Sequence, residues 1–288
     1  MATDRSLSEA RLTDETLAEL GLSEQPFLDN KKFGRFSDST SQKVRAALEQ
    51  NLRFGNSVHL FVGEKGVGKS VFLSQLLKHC KNNIKPFVAK GDENFESVAF
   101  LAAVLNQLSD EPHEAESVND YVDALVPLFE SRAGEKLSVV LAIDDAHLAP
   151  IEEIAELINL MPAFVDNEPT ARLLLTGDAS LQTELDALAD EFDEGAYEPS
   201  VTTLMPLDET RISDYLSSRL KQAGHADAFP FTDKAIAKIY RESEGLPVGI
   251  NTAAANYLNK VYTTAPAKVA SASEADLVIC ATPPLDAQ

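Results

Sequence analysis

Tryptophan is absent from this sequence, methionine occurs three times and cysteine only twice. Cys80 and Cys280 lie far apart and neither sits in a metal-ligand spacing. That excludes a disulfide framework and a structural zinc site as organising devices, and a reducing, cytoplasmic setting fits best. Cations are scarce as well: 25 Lys and Arg stand against 46 Asp and Glu, giving a formal net charge of -21. Such a chain repels nucleic acid and anionic lipid unless its cations cluster. The densest group, Asn30-Lys31-Lys32-Phe33-Gly34-Arg35, is short, so nucleic acid is not an expected partner and the acidity speaks first to solubility. No apolar run approaches the roughly eighteen residues needed to cross a bilayer. The start, Met1-Ala2-Thr3-Asp4-Arg5-Ser6, carries no secretory signal. This chain is therefore not expected to insert into a membrane, and any tether would come from a segment outside it.

What is present is ordinary for a globular protein, with 44% hydrophobic and 25% charged residues over 288 positions. That suits one large domain or two modest ones. One stretch organises the rest: Gly63-Glu64-Lys65-Gly66-Val67-Gly68-Lys69-Ser70, an ungapped match to the G-x-x-x-x-G-K-[ST] phosphate-binding loop. Val58-His59-Leu60-Phe61-Val62 reads as a buried strand entering it, and the segment from Val71 as a helix leaving it. Glycines let backbone N–H groups wrap a phosphate, and the helix N-terminus adds partial positive charge. Lys69 is expected to reach the β- and γ-phosphates and the Ser70 hydroxyl to ligate Mg²⁺. The expected nucleotide-binding set is thus Gly63, Glu64, Lys65, Gly66, Val67, Gly68, Lys69, Ser70 and Val71.

Along the chain, residues 1–20 show a weak helical pattern at Leu12, Leu17 and Leu20, read as a weak helix or frayed arm. A helix over 39–54 precedes the first strand. Strands are then expected at 84–89, 137–143, 172–176 and 201–205. Helices are expected at 95–108, 118–132, 151–160 and 181–192, with an acidic loop at 110–116. Strands separated by helix-length segments imply an α/β fold, a five-stranded parallel sheet covered on both faces. After Pro206 the pattern is helical only, at 210–223, 234–243 and 248–262. The expected organisation is an N-terminal arm (1–45), a three-layer αβα nucleotide-binding domain (46–206), a small all-helical lid (207–262) and a flexible tail (263–288). The tail's one apolar patch, Leu277-Val278-Ile279-Cys280, is too isolated to assign.

Phosphoryl transfer also needs a carboxylate for Mg²⁺, a group that orients the attacking water and cations on the leaving charge. The apolar strand ends in Asp144-Asp145, where Asp144 is expected to hold the Mg²⁺ shell beside Ser70. Asp145 occupies the water-activating position but is one methylene shorter than the usual glutamate. His147, a lone histidine after a strand, reads first as a loop or cap residue. Thr176 ends the next strand, where it either senses the γ-phosphate or closes a turn before Gly177.

In order, these motifs resemble a known family. The set comprises Gly21-Leu22-Ser23-Glu24-Gln25-Pro26-Phe27, the phosphate loop, Ile143-Asp144-Asp145-Ala146-His147-Leu148, Leu204-Met205-Pro206-Leu207-Asp208-Glu209-Thr210, Tyr215-Leu216-Ser217-Ser218-Arg219-Leu220-Lys221-Gln222-Ala223-Gly224 and Ser243-Glu244-Gly245-Leu246-Pro247-Val248-Gly249-Ile250-Asn251. It is similar to the AAA+ ATPases of the ExeA type, which help assemble secretion machinery, and more so to the cytoplasmic domains of DamX-like cell-division proteins. The resemblance implies ATP as the nucleotide, partners in the cell envelope or divisome, and an oligomer in the secretion-type case. A DNA-transposition helper shares parts of the motifs and is disfavoured by the charge. Three family features are missing: the glutamate at Asp145, the lid arginine at Val248, and an arginine finger, since no Lys or Arg occurs between Arg172 and Arg211. The resemblance therefore implies nucleotide binding with slow or absent hydrolysis.

Overall fold

The computed structural model describes residues 10–28, 36–109, 117–165 and 168–264. The basic group at 30–35, the acidic loop at 110–116 and the tail patch at 277–280 lie outside the described residues.

Helix α1 (Asp14–Glu19) and helix α2 (Ser39–Phe54) precede strand β1 (Val58–Val62). Then come α3 (Lys69–His79), β2 (Ile84–Lys90), α4 (Ser97–Leu108), α5 (Val118–Gly134) and β3 (Ser138–Asp144). After these follow α6 (Ile151–Leu160), β4 (Ala171–Gly177), α7 (Ala179–Ala187) and β5 (Ser200–Thr203). Helices α8 (Glu209–Gln222), α9 (Asp233–Ser243) and α10 (Pro247–Thr264) complete the described chain. The strands form one five-stranded sheet in the order β2-β3-β4-β1-β5, all pairs parallel. This is the expected three-layer α/β architecture with a helical region after it.

Period-two alternation along the strands sends side chains to two cores. On one face Leu60, Leu141, Ile143 and Leu175 meet Leu101 of α4, Phe129 of α5, Ile154 of α6 and Leu181 of α7. On the other, Phe61, Val140, Ala142 and Leu174 meet Leu48 and Leu52 of α2 and Leu73 and Leu76 of α3. Burying each such Leu or Phe stabilises the fold by about 2–3 kcal/mol over leaving it exposed. Cys80 belongs to the second core, where burial and then Glu49 raise its thiol to about 12, leaving it inert.

Many element ends shift by one or two residues from expectation, and two changes have a local physical reason. The helix expected over 181–192 starts earlier and stops at Ala187, with a separate 3-10 turn at Ala189–Glu191. Its last turn has no basic residue to offset the carbonyl end, and the sequence there turns acidic. The last strand ends at Thr203 rather than 205; Leu204 still donates its N–H to Val62, but Pro206 has none to give.

A third core joins Ile212, Leu216, Ile236, Ile239, Ile250 and Leu258 of α8–α10 with Leu12, Leu20, Leu22 and Phe27. The segment read as a weak helix or frayed arm forms α1, and its described residues pack into the helical region. Gln25 bonds Leu12 through both N–H and C=O at 2.8 Å, and Asn259 of α10 bridges Arg11 and Thr13 at 2.9 Å. The Gln25 pair satisfies the backbone of buried Leu12, and the exposed Asn259 pair ties the same segment to α10.

Candidate nucleotide-binding site

The loop after β1 takes its shape from two left-handed residues, Gly66 at φ +87° and Gly68 at φ +100°. Any side chain at either would strain the backbone. Gly68 is also the N-cap of α3 and supplies no side-chain acceptor, so the first N–H groups of that helix remain available to an anion. Lys69 is only 7% exposed and folds back over the loop, its Nζ donating to the Gly63 carbonyl at 2.7 Å and that of Glu64 at 3.2 Å. Burial pushes its ammonium pKa down, against the pull of Asp145, Asp178 and Asp144.

Across the loop, β3 and β4 present their C-terminal ends side by side. The Thr176 hydroxyl donates to Asp144 Oδ1 at 2.6 Å and accepts the Asp145 N–H at 3.0 Å. Thr176 is fully buried, with its hydroxyl engaged by these two aspartates. Asp144 Oδ2 has no hydrogen-bond partner among the described residues, and Asp144 and Ser70 front one groove of about 600 Å³. A carboxylate oxygen and a hydroxyl are hard donors of the kind Mg²⁺ takes, so the residues present fit that ion.

Asp145 adopts a left-handed backbone, φ 58°, and its carboxylate lies 4.0 Å from the Lys90 ammonium. His147 follows on a 3-10 turn, with Nε2 3.8 Å from Asp178 Oδ2 and a buried Nδ1 that has no partner among the described residues. Hydrogen bonds from Ser180 hold the Asp178 carboxyl below the usual range, and His147 and Lys69 add to this against the effect of burial.

The loop opens into a cavity of about 380 Å³ whose far wall is the helical region. Val248, at the start of α10, lies against Gly66: a Cβ at Gly66 would sit 3.4 Å from a Val248 methyl. Leu204, Met205 and Leu207 add apolar surface, and Phe36 meets Tyr215 edge to face at 5.4 Å. An apolar crevice beside a phosphate-binding loop suits a base and its sugar. Arg219 also borders the cavity but is 6% exposed, donating to the Tyr215 hydroxyl at 3.1 Å and to the carbonyls of Pro26 and Leu28.

Sequence reasoning missed Arg211. It reaches from α8 to pair with Asp38, the N-cap of α2, and to Ser41 Oγ at 3.4 Å, linking the helical region to the sheet domain at the cavity edge. No local pattern joins residues 173 positions apart; only the N-cap signal at Asp38 was legible.

A phosphate loop between a parallel strand and a helix, with an acidic strand end beside it, defines a P-loop nucleoside-triphosphate-binding module. Residues 41–185 match the family model described as AAA domain, and the chain belongs to that family, as an AAA+ ATPase module. Comparison with curated protein sequences gives no match. Among solved structures, the Cdc6p protein of Pyrobaculum aerophilum is similar at 19% identity and a TM-score of 0.54, over 78% of this chain and 60% of that one. A Walker-type ATPase of Pyrococcus abyssi is similar at 16% identity and a TM-score of 0.53, over 73% and 65% respectively. The Aeropyrum pernix ORC2 protein, solved in ADPNP-ADP complexes, is similar at 12% identity and a TM-score of 0.54, over 80% and 68%. This chain thus spans about three fifths to two thirds of those proteins, and at such identity the likeness is one of fold.

Proposed function

We propose that this chain is an ATP-binding AAA+ module that holds Mg·ATP and hydrolyses it slowly, within a cell-envelope or cell-division protein of the DamX-like type. The observation that carries binding is the shape of the loop, with two left-handed glycines, the open start of α3 and Lys69 over the loop carbonyls. In this reading residues 63–71 cradle the phosphates and Lys69 leaves Gly63 and Glu64 for the β- and γ-phosphates. Ser70 and Asp144 are the residues that hold Mg²⁺, which supplies charge neutralisation on the phosphates. Thr176 acts through Asp144, fixing its carboxylate for the metal.

Slow hydrolysis follows from what borders the phosphates. Val248 puts a methyl on the loop where a lid cation would stabilise developing charge. Asp145, the residue left to orient water, is drawn toward Lys90. Arg219 is engaged with Tyr215 and two carbonyls. An arginine supplied at this step is worth about three to five orders of magnitude where measured in GTPases. The partners in this reading are nucleotide and envelope or divisome proteins. Nucleic acid is not among them, even though a structural neighbour, the Aeropyrum pernix ORC1 protein, was solved in complex with DNA.

Calorimetric titration with ATP and Mg²⁺, followed by a phosphate-release assay on the same sample, tests the proposal. Binding that Lys69→Ala abolishes, with turnover far below that of ordinary ATPases, is the expected result. Absence of ATP binding, or brisk turnover by the isolated chain, would overturn it.

A further inference from the structure

The phosphate loop lies in a basic stretch of an acidic chain. Residues 41–90 carry nine Lys or Arg against two Asp or Glu, whereas the described residues from 91 to 199 carry three against 21. The first stretch supplies α2, the loop and α3 on one face of the sheet, and the second supplies α4 to α7 on the other. Four Lys or Arg side chains border the cavity beside the loop: Lys65, Lys69, Arg211 and Arg219. Three are committed. Lys69 donates to the Gly63 and Glu64 carbonyls, Arg211 pairs with Asp38, and Arg219 holds Tyr215 and two carbonyls. Lys65 is exposed, and its ammonium has no hydrogen bond or ion pair among the described residues.

We infer that the Lys65 ammonium contacts the γ-phosphate and makes the chain select a nucleoside triphosphate over a diphosphate. The inference rests on the nucleotide reading above. Lys65 holds the second position of a turn closed by the Val67 N–H on the Glu64 carbonyl at 3.2 Å, with left-handed Gly66 third. The turn fixes its backbone, so only the four-carbon stem has to find the phosphate. Lys69 belongs on the β- and γ-phosphates, and its Nζ lies over the carbonyl of Glu64, the residue before Lys65. Lys65 therefore stands at the outer end of the phosphate chain, while the open start of α3 is at the other end of the loop. Asp144 fronts the neighbouring groove and does not line this cavity, so a metal held there leaves the cavity side of the phosphates to a protein cation. The lid offers none at Val248, which lies against Gly66, and Lys65 is the residue next to that contact. A diphosphate has no terminal group for it to meet. The contact is already made in the bound triphosphate, so it strengthens binding without lowering the barrier, in keeping with slow turnover.

Calorimetry on the full chain tests this, with the non-hydrolysable β,γ-imido analogue of ATP and with ADP, each in Mg²⁺. A charged hydrogen bond to phosphate is lost in Lys65→Ala, which should bind the analogue about tenfold or more weakly while ADP affinity changes by less than about twofold. Lys65→Arg should keep most of the preference, since it keeps the charge, and Lys65→Glu should weaken the analogue by about a hundredfold. Urea midpoints of wild type and Lys65→Ala should coincide, and a lower midpoint in the variant would show an ammonium held by the protein, overturning the assignment. Equal losses for both nucleotides, or no loss for either, would overturn it while leaving the nucleotide reading in place. A wild-type chain that binds neither nucleotide overturns that reading and the assignment with it.

Discussion

Asp38→Asn isolates the electrostatic link between the helical region and the sheet domain. Asparagine caps a helix as well as aspartate does, so the N-cap bond to the Ser41 N–H survives while the charge facing Arg211 is lost. Burial by itself raises the Asp38 pKa, but the Arg211 hydrogen bond, the bonds from Ser41 and the Arg211 charge bring it down to about 2 from 3.8. The side chains are only 16% and 18% exposed, so solvent screens the pair little. The depression corresponds to about 2 kcal/mol of stability at neutral pH. Because the folded value lies below the unfolded one, that contribution is complete above about 4 and is lost as pH falls through about 2. Urea denaturation of wild type, Asp38→Asn, Arg211→Met and the double variant forms a cycle. Asp38→Asn should cost about 2 kcal/mol alone and near zero once Arg211 is methionine. A cost under about 0.5 kcal/mol, or the same cost in both backgrounds, would refute the link.

Three further outcomes follow from the site and its supports. Thr176→Val removes the hydroxyl that bonds Asp144 and accepts the Asp145 N–H. It should cost about 1–3 kcal/mol of stability and weaken ATP binding with Mg²⁺ more than without it; calorimetry in both conditions checks this, and a loss of turnover at unchanged affinity would favour γ-phosphate sensing. Val248→Arg combined with Asp145→Glu restores two missing groups and should raise phosphate release by about tenfold or more; an unchanged rate would mean that neither group limits the reaction. Gly245 has φ +78°, and a Cβ there would lie 2.0 Å from the Leu207 carbonyl oxygen, so Gly245→Ala should destabilise the helical region by about 3 kcal/mol or more, read as a lower urea midpoint.

The sequence by itself determined the elements and the phosphate loop, because each rests on local pattern. A continuous apolar run made β3 a central strand, alternating strand and helix implied a parallel sheet, and the G-x-x-x-x-G-K-S spacing admits one backbone shape. Asp144 was legible for the same reason, standing at the end of that run. Other features were decided only in three dimensions, since they join residues far apart in the chain. The Arg211–Asp38 pair is one, and the seating of Leu12 and Phe27 among α8–α10 is another. The 2.6 Å bond between Thr176 and Asp144 is a third, since it needs β3 laid beside β4. Charge shows the difference most plainly. Composition gives a sum, and that sum spoke first to solubility and against nucleic acid as a partner. A parallel sheet with one stretch of chain on each face turned the same residues into two layers of opposite sign.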